Sequence, residues 1–212
     1  MRKIKKSLII ACDGESASGK STAAKLVSKK YKLLLLNSGL LYRYCSKLLL
    51  KNKPKNMISF LRQKLNNISY SKISKLNLHS EEISNHVAII AKNKKLRDLV
   101  NSLQKKIIKS NKRICVEGRD IASKILSKNP KYDLAFYFKC NLEVASYRRW
   151  IDIKKKVPLK EVKKSLKKRT LIDKTRKNSP LIKVKDATLI RTDKLNKKEV
   201  LNLMSERINK LT

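Results

Sequence analysis

Aromatic side chains are scarce in this 212-residue chain, with three Phe and one Trp beside seven Tyr. A platform for stacking successive nucleic-acid bases is therefore poorly supplied. Histidine is rarer still, and His79 and His86 lack the spacing of a zinc site. The four cysteines, Cys12, Cys45, Cys115 and Cys140, contain no C-x-x-C pair. Three of them lie in apolar, strand-like runs, so buried free thiols are expected, in keeping with a reducing cytoplasm. No stretch approaches the length of a membrane span. The basic start Met1-Arg2-Lys3-Ile4-Lys5-Lys6 imitates a signal peptide, and Ala11-Cys12 imitates a lipoprotein cleavage site. The apolar run between them is about five residues, below the ~7–15 of a signal core, so export is rejected. Acidic residues are few: Asp+Glu number 16 against 54 Lys+Arg, a formal net charge of +38. Such a field attracts nucleotides, nucleic acid or acidic lipid. The lysines are spread along nearly every segment, which reads as solvated helix faces. Non-specific RNA binding at low salt is an expected side effect, with no specific nucleic-acid or membrane partner.

What the chain does have is Gly14-Glu15-Ser16-Ala17-Ser18-Gly19-Lys20-Ser21, which fits the phosphate-binding loop G-x-x-x-x-G-K-[ST]. Glycines let the backbone come close to an anion, and successive N–H groups converge on phosphate oxygens. Lys20 would reach the β- and γ-phosphates, and the Ser21 hydroxyl would ligate Mg²⁺. The context agrees. Leu8-Ile9-Ile10-Ala11-Cys12 suits a buried strand, and Ala23, Ala24, Val27 and Tyr31 fall at helical spacing after the loop. The helix N-terminus, with Thr22 following Ser21, adds partial positive charge to the same site.

The rest of the chain alternates short apolar strands with helices. Leu33–Leu36 is a second strand, ending in Asn37-Ser38-Gly39, which can cap a helix over Leu40–Lys51. Met57–Leu65 reads as helix, and Ile68–Leu78 alternates loosely enough for short strands. Ser80 before Glu81-Glu82 starts a helix to Lys92. The next helix carries a stripe of Leu96, Leu99, Val100, Leu103 and Ile107, with Arg97 off it. Ile114–Val116, Leu134–Phe138 and Ala187–Arg191 are further strands. Asn141 caps a helix to about Lys156, Pro158 opens another to roughly Lys177, and Asn196 with Glu199 resembles a capping box. Val200, Leu203, Met204, Ile208 and Leu211 mark the last helix's buried stripe. This is the signature of an α/β fold with a five-stranded parallel sheet. Ligands in such folds bind at the carboxyl ends of the strands.

Three clusters beyond the loop could carry chemistry. Ser38, Tyr42 and Arg43 follow the second strand, where a plain cap and a half-buried face would also account for them. Gly118-Arg119-Asp120 follows the third, where a turn with a capping Asp is the simpler account. Arg169, Asp173 and Arg176 share one helix face, as does any surface ion-pair ladder. A phosphate loop in the same chain favours chemistry, since phosphoryl transfer needs cations over the γ-phosphate.

Taken together, these motifs resemble the bacterial cytidylate kinases, within the nucleoside monophosphate kinases. The residues carrying the resemblance are Asp13-Gly14 with the loop, Leu36-Asn37-Ser38-Gly39 with Tyr42-Arg43, Glu117-Gly118-Arg119-Asp120-Ile121, and Arg169, Asp173 and Arg176 leading to Pro180-Leu181. The resemblance implies a P-loop NTPase-type single kinase domain over residues 1–212. Its core would be residues 1–51, 91–147 and 178–212, with an acceptor-binding insertion at 52–90 and a helical lid at 148–177. It implies ATP-dependent phosphorylation of CMP, and dCMP, with Mg²⁺, by a cytoplasmic monomer. Gly14 through Thr22 would bind ATP. Ser38, Tyr42, Arg43, Arg97, Arg119, Asp120, Arg169, Asp173 and Arg176 would bind the acceptor, with Arg43 on its phosphate and Asp173 on its ribose. Lys20, Arg119, Asp120, Arg169 and Arg176 would act on the transferred group.

The sequence departs from the family pattern at three places. Glu15 stands where the family usually has proline and must point outward or weaken anion binding. Ala122-Ser123 replaces the usual Gly-Thr. Ala88 falls where a serine commonly contacts the base, which relaxes pyrimidine discrimination. Two other readings stay open: a kinase of the same fold acting on UMP or another small acceptor, and a basic P-loop protein that binds RNA and uses ATP as a switch.

Overall fold

The computed structural model describes residues 6–66 and 68–211. The start at residues 1–5 and the side chain of Glu81, both invoked above, lie outside the described residues. The described chain divides into two compact units, residues 37–110 and the remainder. The expected insertion at 52–90 falls inside the first of these.

The larger unit is built on a five-stranded sheet. Its strands are β1 (Leu8–Gly14), β2 (Leu34–Asn37), β3 (Arg113–Gly118), β4 (Leu134–Lys139) and β5 (Thr188–Arg191), in spatial order β2-β3-β1-β4-β5. The pairings β1–β3, β1–β4 and β4–β5 are all parallel. The strands read as continuous apolar runs because helices cover them. Helix α1 (Lys20–Lys30) presents Ala23, Ala24 and Val27 to a core that includes Ile10, Phe136, Phe138 and Ile190. The last helix of the chain, Lys197–Asn209, adds Val200, Met204 and Ile208 to that core. Asn196 and Glu199 close the expected capping box. Two residues expected on that stripe are not buried. Leu203 is exposed on the far face, and Leu211 lies beyond the helix end.

The smaller unit holds α2 (Ser38–Asn52), α3 (Met57–Asn66), α4 (Tyr70–Ser74), α5 (Glu81–Ile90) and α6 (Lys94–Lys109). The Asn37 side chain caps α2 by accepting from Leu40 N–H. Where the loose alternation of residues 68–78 allows short strands, the chain forms α4. Tyr70 and Ile73, three residues apart, are both buried, a helical spacing that short loose alternation concealed. On α6 the buried row is Leu96, Val100, Gln104 and Ile108, a four-residue repeat, and Leu99, Leu103 and Ile107 are only half-buried. Arg97, expected off the stripe, is buried because its guanidinium lies over the Tyr42 ring, 5.8 Å from the centroid.

Two further helices belong to the larger unit: α7 (Leu142–Asp152), capped by Asn141, and α8 (Leu159–Thr175). Helix α8 stops one residue before Arg176, whose backbone is extended. The expected helix to Lys177 is therefore shorter, and Arg176 reaches its neighbours from a bend rather than from the helix face.

Candidate active site

The phosphate loop runs from the end of β1 into α1. A Cβ on Gly14 would stand 2.4 Å from the Phe138 carbonyl oxygen of β4, so only glycine lets the strands approach here. Gly19, at φ 76°, turns the chain into α1 in the left-handed region that glycine favours. Ser16 and Ser18 are buried, Ala17 is half-buried at φ 55°, and Ser21 and Thr22 are exposed on the first turn of α1. Ser18 Oγ donates to the Glu15 carbonyl at 2.9 Å.

Lys20 is buried and pairs with Glu117 at the end of β3, Nζ to Oε2 3.6 Å. Burial pushes the Lys20 ammonium below its ordinary range, nearby Arg119 pushes the same way, and Glu117 opposes them. Glu117 was visible as part of a motif, but its partnership with Lys20 depends on β1 and β3 being neighbours.

Arg119 organises the edge. Its Nη1 donates to the carbonyls of Gly14 at 2.6 Å and Glu15 at 3.3 Å, and Nη2 donates to Ser16 Oγ at 3.1 Å. Its Nε donates to Asp173 of α8 at 2.8 Å. Asp173 also faces Arg176 at 3.6 Å, and Arg176 lies 3.7 Å from Asp120. Arg176 Nε donates to the Ser179 carbonyl at 2.6 Å. The fold thus joins the loop, Arg119, Asp120, Asp173 and Arg176 in one network. Arg169, one turn earlier on α8, is exposed.

Asp120 was a candidate helix cap, but its side chain makes no capping bond. Asp13 takes that place. Its two carboxylate oxygens accept from Ile121 N–H at 2.9 Å and Ala122 N–H at 2.8 Å, at the start of a π-type turn over Ile121–Ile125. Burial pushes the Asp13 carboxyl up to about 6 from 3.8, although those two amides pull it down. Because the folded-state value is raised, the associated stability is fully present below about pH 4. It is lost as pH rises through about 6, by at most about 3 kcal/mol. Urea unfolding at pH 4 and pH 7 should show this loss in the parent relative to Asp13→Asn. Parallel pH profiles would remove the assignment.

The Glu15 carboxylate meets Lys174 of α8, Nζ to Oε1 2.6 Å. Thr192, just after β5, was missed altogether. Its hydroxyl donates to the Ser18 carbonyl at 3.0 Å, and its own carbonyl accepts from Arg148 of α7 at 2.9 Å.

In the smaller unit, Ser38 is buried at the start of α2, and Tyr42 lies beneath Arg97. Arg43 Nη1 donates to the Leu78 carbonyl at 3.0 Å and to Ser84 Oγ at 2.8 Å. Ala88 is exposed, one turn beyond Ser84 on α5.

Among the described residues no cluster of three or more His, Cys, Asp or Glu could hold a metal ion by itself. Hard oxygen donors near the loop include the Ser21 hydroxyl and the Glu117 carboxylate, whose Oε2 lies 3.6 Å from Lys20 Nζ. That set fits Mg²⁺, which takes one or two protein oxygens and completes its shell with phosphates and water. No described helix is long and apolar enough to cross a membrane.

Comparison with known proteins agrees with this geometry. The sequence model of the cytidylate kinase family matches residues 10–210. A cytidylate kinase of Fusobacterium nucleatum is 32% identical over 96% of this chain and 98% of its own length. One from Clostridium botulinum strain Okra is 32% identical over 95% and 97%. A crystal structure of an uncharacterized Eubacterium ventriosum protein shares the fold, at TM-score 0.56 and 17% identity, over 97% of this chain and 99% of that one. With a phosphate loop on the sheet edge, an arginine network bound to it and a family match over nearly its whole length, the chain belongs to the cytidylate kinase family.

Proposed function

We propose that the protein transfers the γ-phosphoryl group of ATP to CMP, and to dCMP, yielding the nucleoside diphosphate. The observation that carries the reading is the charge network touching the loop: Lys20, Arg119 and Arg176, held by Glu117, Asp173 and Asp120. Phosphoryl transfer asks for positioning and charge stabilisation rather than a covalent protein nucleophile. Residues 14–22 hold the ATP phosphates, with Lys20 on the outer ones. Arg119, Arg169 and Arg176 neutralise the group in flight, and Asp120 and Asp173 orient the arginines and the acceptor's sugar. Ser38, Tyr42, Arg43 and Arg97 bind the acceptor, Arg43 on its phosphate. The insertion at 52–90 frames that pocket, and the 148–177 segment closes over ATP and excludes water. Ser21 would hold Mg²⁺, with the Glu117 carboxylate as a further oxygen near the loop, and the ion would supply positive charge to the ATP phosphates. The protein works as a cytoplasmic monomer.

Initial rates with CMP, dCMP and UMP at fixed ATP and Mg²⁺ test this. CMP should be turned over most efficiently. Equal rates with UMP would favour a broader kinase, supported by the exposure of Ala88. The +38 charge supports an RNA-binding reading, which gains ground if RNA-free protein forms no diphosphate.

A further inference from the structure

We propose that Lys174 is a positioning residue for the phosphate loop: it neutralises Glu15 and sets the register in which the end of α8 docks on the loop. The inference rests on the kinase reading above for its function, not for its geometry.

Glu15 places a carboxylate inside a loop meant for anions. Its backbone is fixed, because its N–H donates to the Phe138 carbonyl at 3.1 Å and its own carbonyl accepts from Ser18 Oγ and Arg119. The side chain is thus tethered to a fixed point of the loop, within reach of α8. Lys174 meets it at 2.6 Å. The Glu15 side chain keeps only 11% of its surface exposed, so water screens it weakly, whereas Lys174 keeps 43%.

The neighbouring pair makes the contact directional. Asp173 binds Arg119 at 2.8 Å, and the next residue, Lys174, binds Glu15. Two adjacent ion pairs of opposite polarity join α8 to the loop region. A slip of one residue would lose both pairs and create a like-charge contact, Lys174 against Arg119 in one direction or Asp173 against Glu15 in the other. Such paired attraction and repulsion fixes register more than it adds stability. Asp173 and Arg176 are thereby delivered to the loop in one arrangement.

The test uses the full chain, with ATP varied at saturating CMP. Lys174→Met should raise KM for ATP about fivefold, with kcat changed less than about twofold, as expected for one partly exposed charge pair. Lys174→Arg should keep the parent value. Lys174→Met combined with Glu15→Gln should recover most of the loss, since no anion is then left to neutralise. The Lys174→Met defect should shrink in high salt, which a purely structural defect would not do. Unchanged KM in Lys174→Met, an additive double variant, or equal loss in Lys174→Arg would each overturn the proposal. Calorimetric titration with ATP reads the same shift without turnover. A parent chain that bound ATP but phosphorylated no acceptor would remove the kinase reading and leave this one to be decided by Kd.

Discussion

Lys20→Ala is expected to lower kcat/KM for CMP phosphorylation by about 10³-fold or more, some 4 kcal/mol of transition-state stabilisation. Lys20 is the buried cation of the loop, and no other lysine occurs between Gly14 and Thr22. A second effect accompanies the first. Breaking the 3.6 Å pair leaves the buried Glu117 carboxylate without its lysine, which destabilises a fold by about 3–5 kcal/mol when such a pair loses one member. The two effects separate in Lys20→Ala combined with Glu117→Gln. That variant should regain much of the lost urea stability and none of the lost rate. Activity within tenfold of the parent in Lys20→Ala would refute the assigned role, whatever its stability.

For Arg176→Ala the expected loss is about 10³-fold in kcat, within the ~10³–10⁵ range of an arginine acting on a transferring phosphoryl group. Stability should change much less. Arg176 stands in extended backbone beyond α8, and its ion pairs to Asp120 and Asp173 are loose, at 3.7 and 3.6 Å. With Nε held by the Ser179 carbonyl at 2.6 Å, these long pairs leave the two Nη groups able to exchange a carboxylate for an incoming phosphate. Arg176→Lys should not restore the rate, because a single ammonium lacks the planar fork that spans two oxygens. Steady-state rates for both variants, with KM for ATP and CMP measured separately, check the expectation. A loss confined to KM would reassign Arg176 to ground-state binding.

The parts of this molecule legible in its sequence are those written in consecutive residues. The phosphate loop shows because Gly14, Gly19, Lys20 and Ser21 each answer a local demand of backbone or charge. The five strands show because sheets covered on both faces leave short apolar runs, and Asn37, Asn141 and Asn196 show as caps because capping is local. What stayed hidden is set by chain crossings. Asp13 caps a turn 108 residues away, and Thr192 reaches a carbonyl 174 residues away. Neither has a signal in its own neighbourhood. Glu15 stands out in the sequence as an anion beside an anion-binding loop, yet its partner Lys174 looks like any other solvated lysine in so basic a chain. Arg97 misled in the opposite sense, since a charged residue off an apolar stripe reads as exposed until the Tyr42 ring is known to lie beneath it.

Peptide carbonyls carry partial negative charge, and a backbone bent tightly around an incoming phosphate risks turning some of them toward it. The carbonyls of Gly14 and Glu15 are already occupied by a cation. A nucleotide arriving at this loop thus meets amide hydrogens whose opposing oxygens have been quieted in advance, and little rearrangement of the main chain is left for binding to drive.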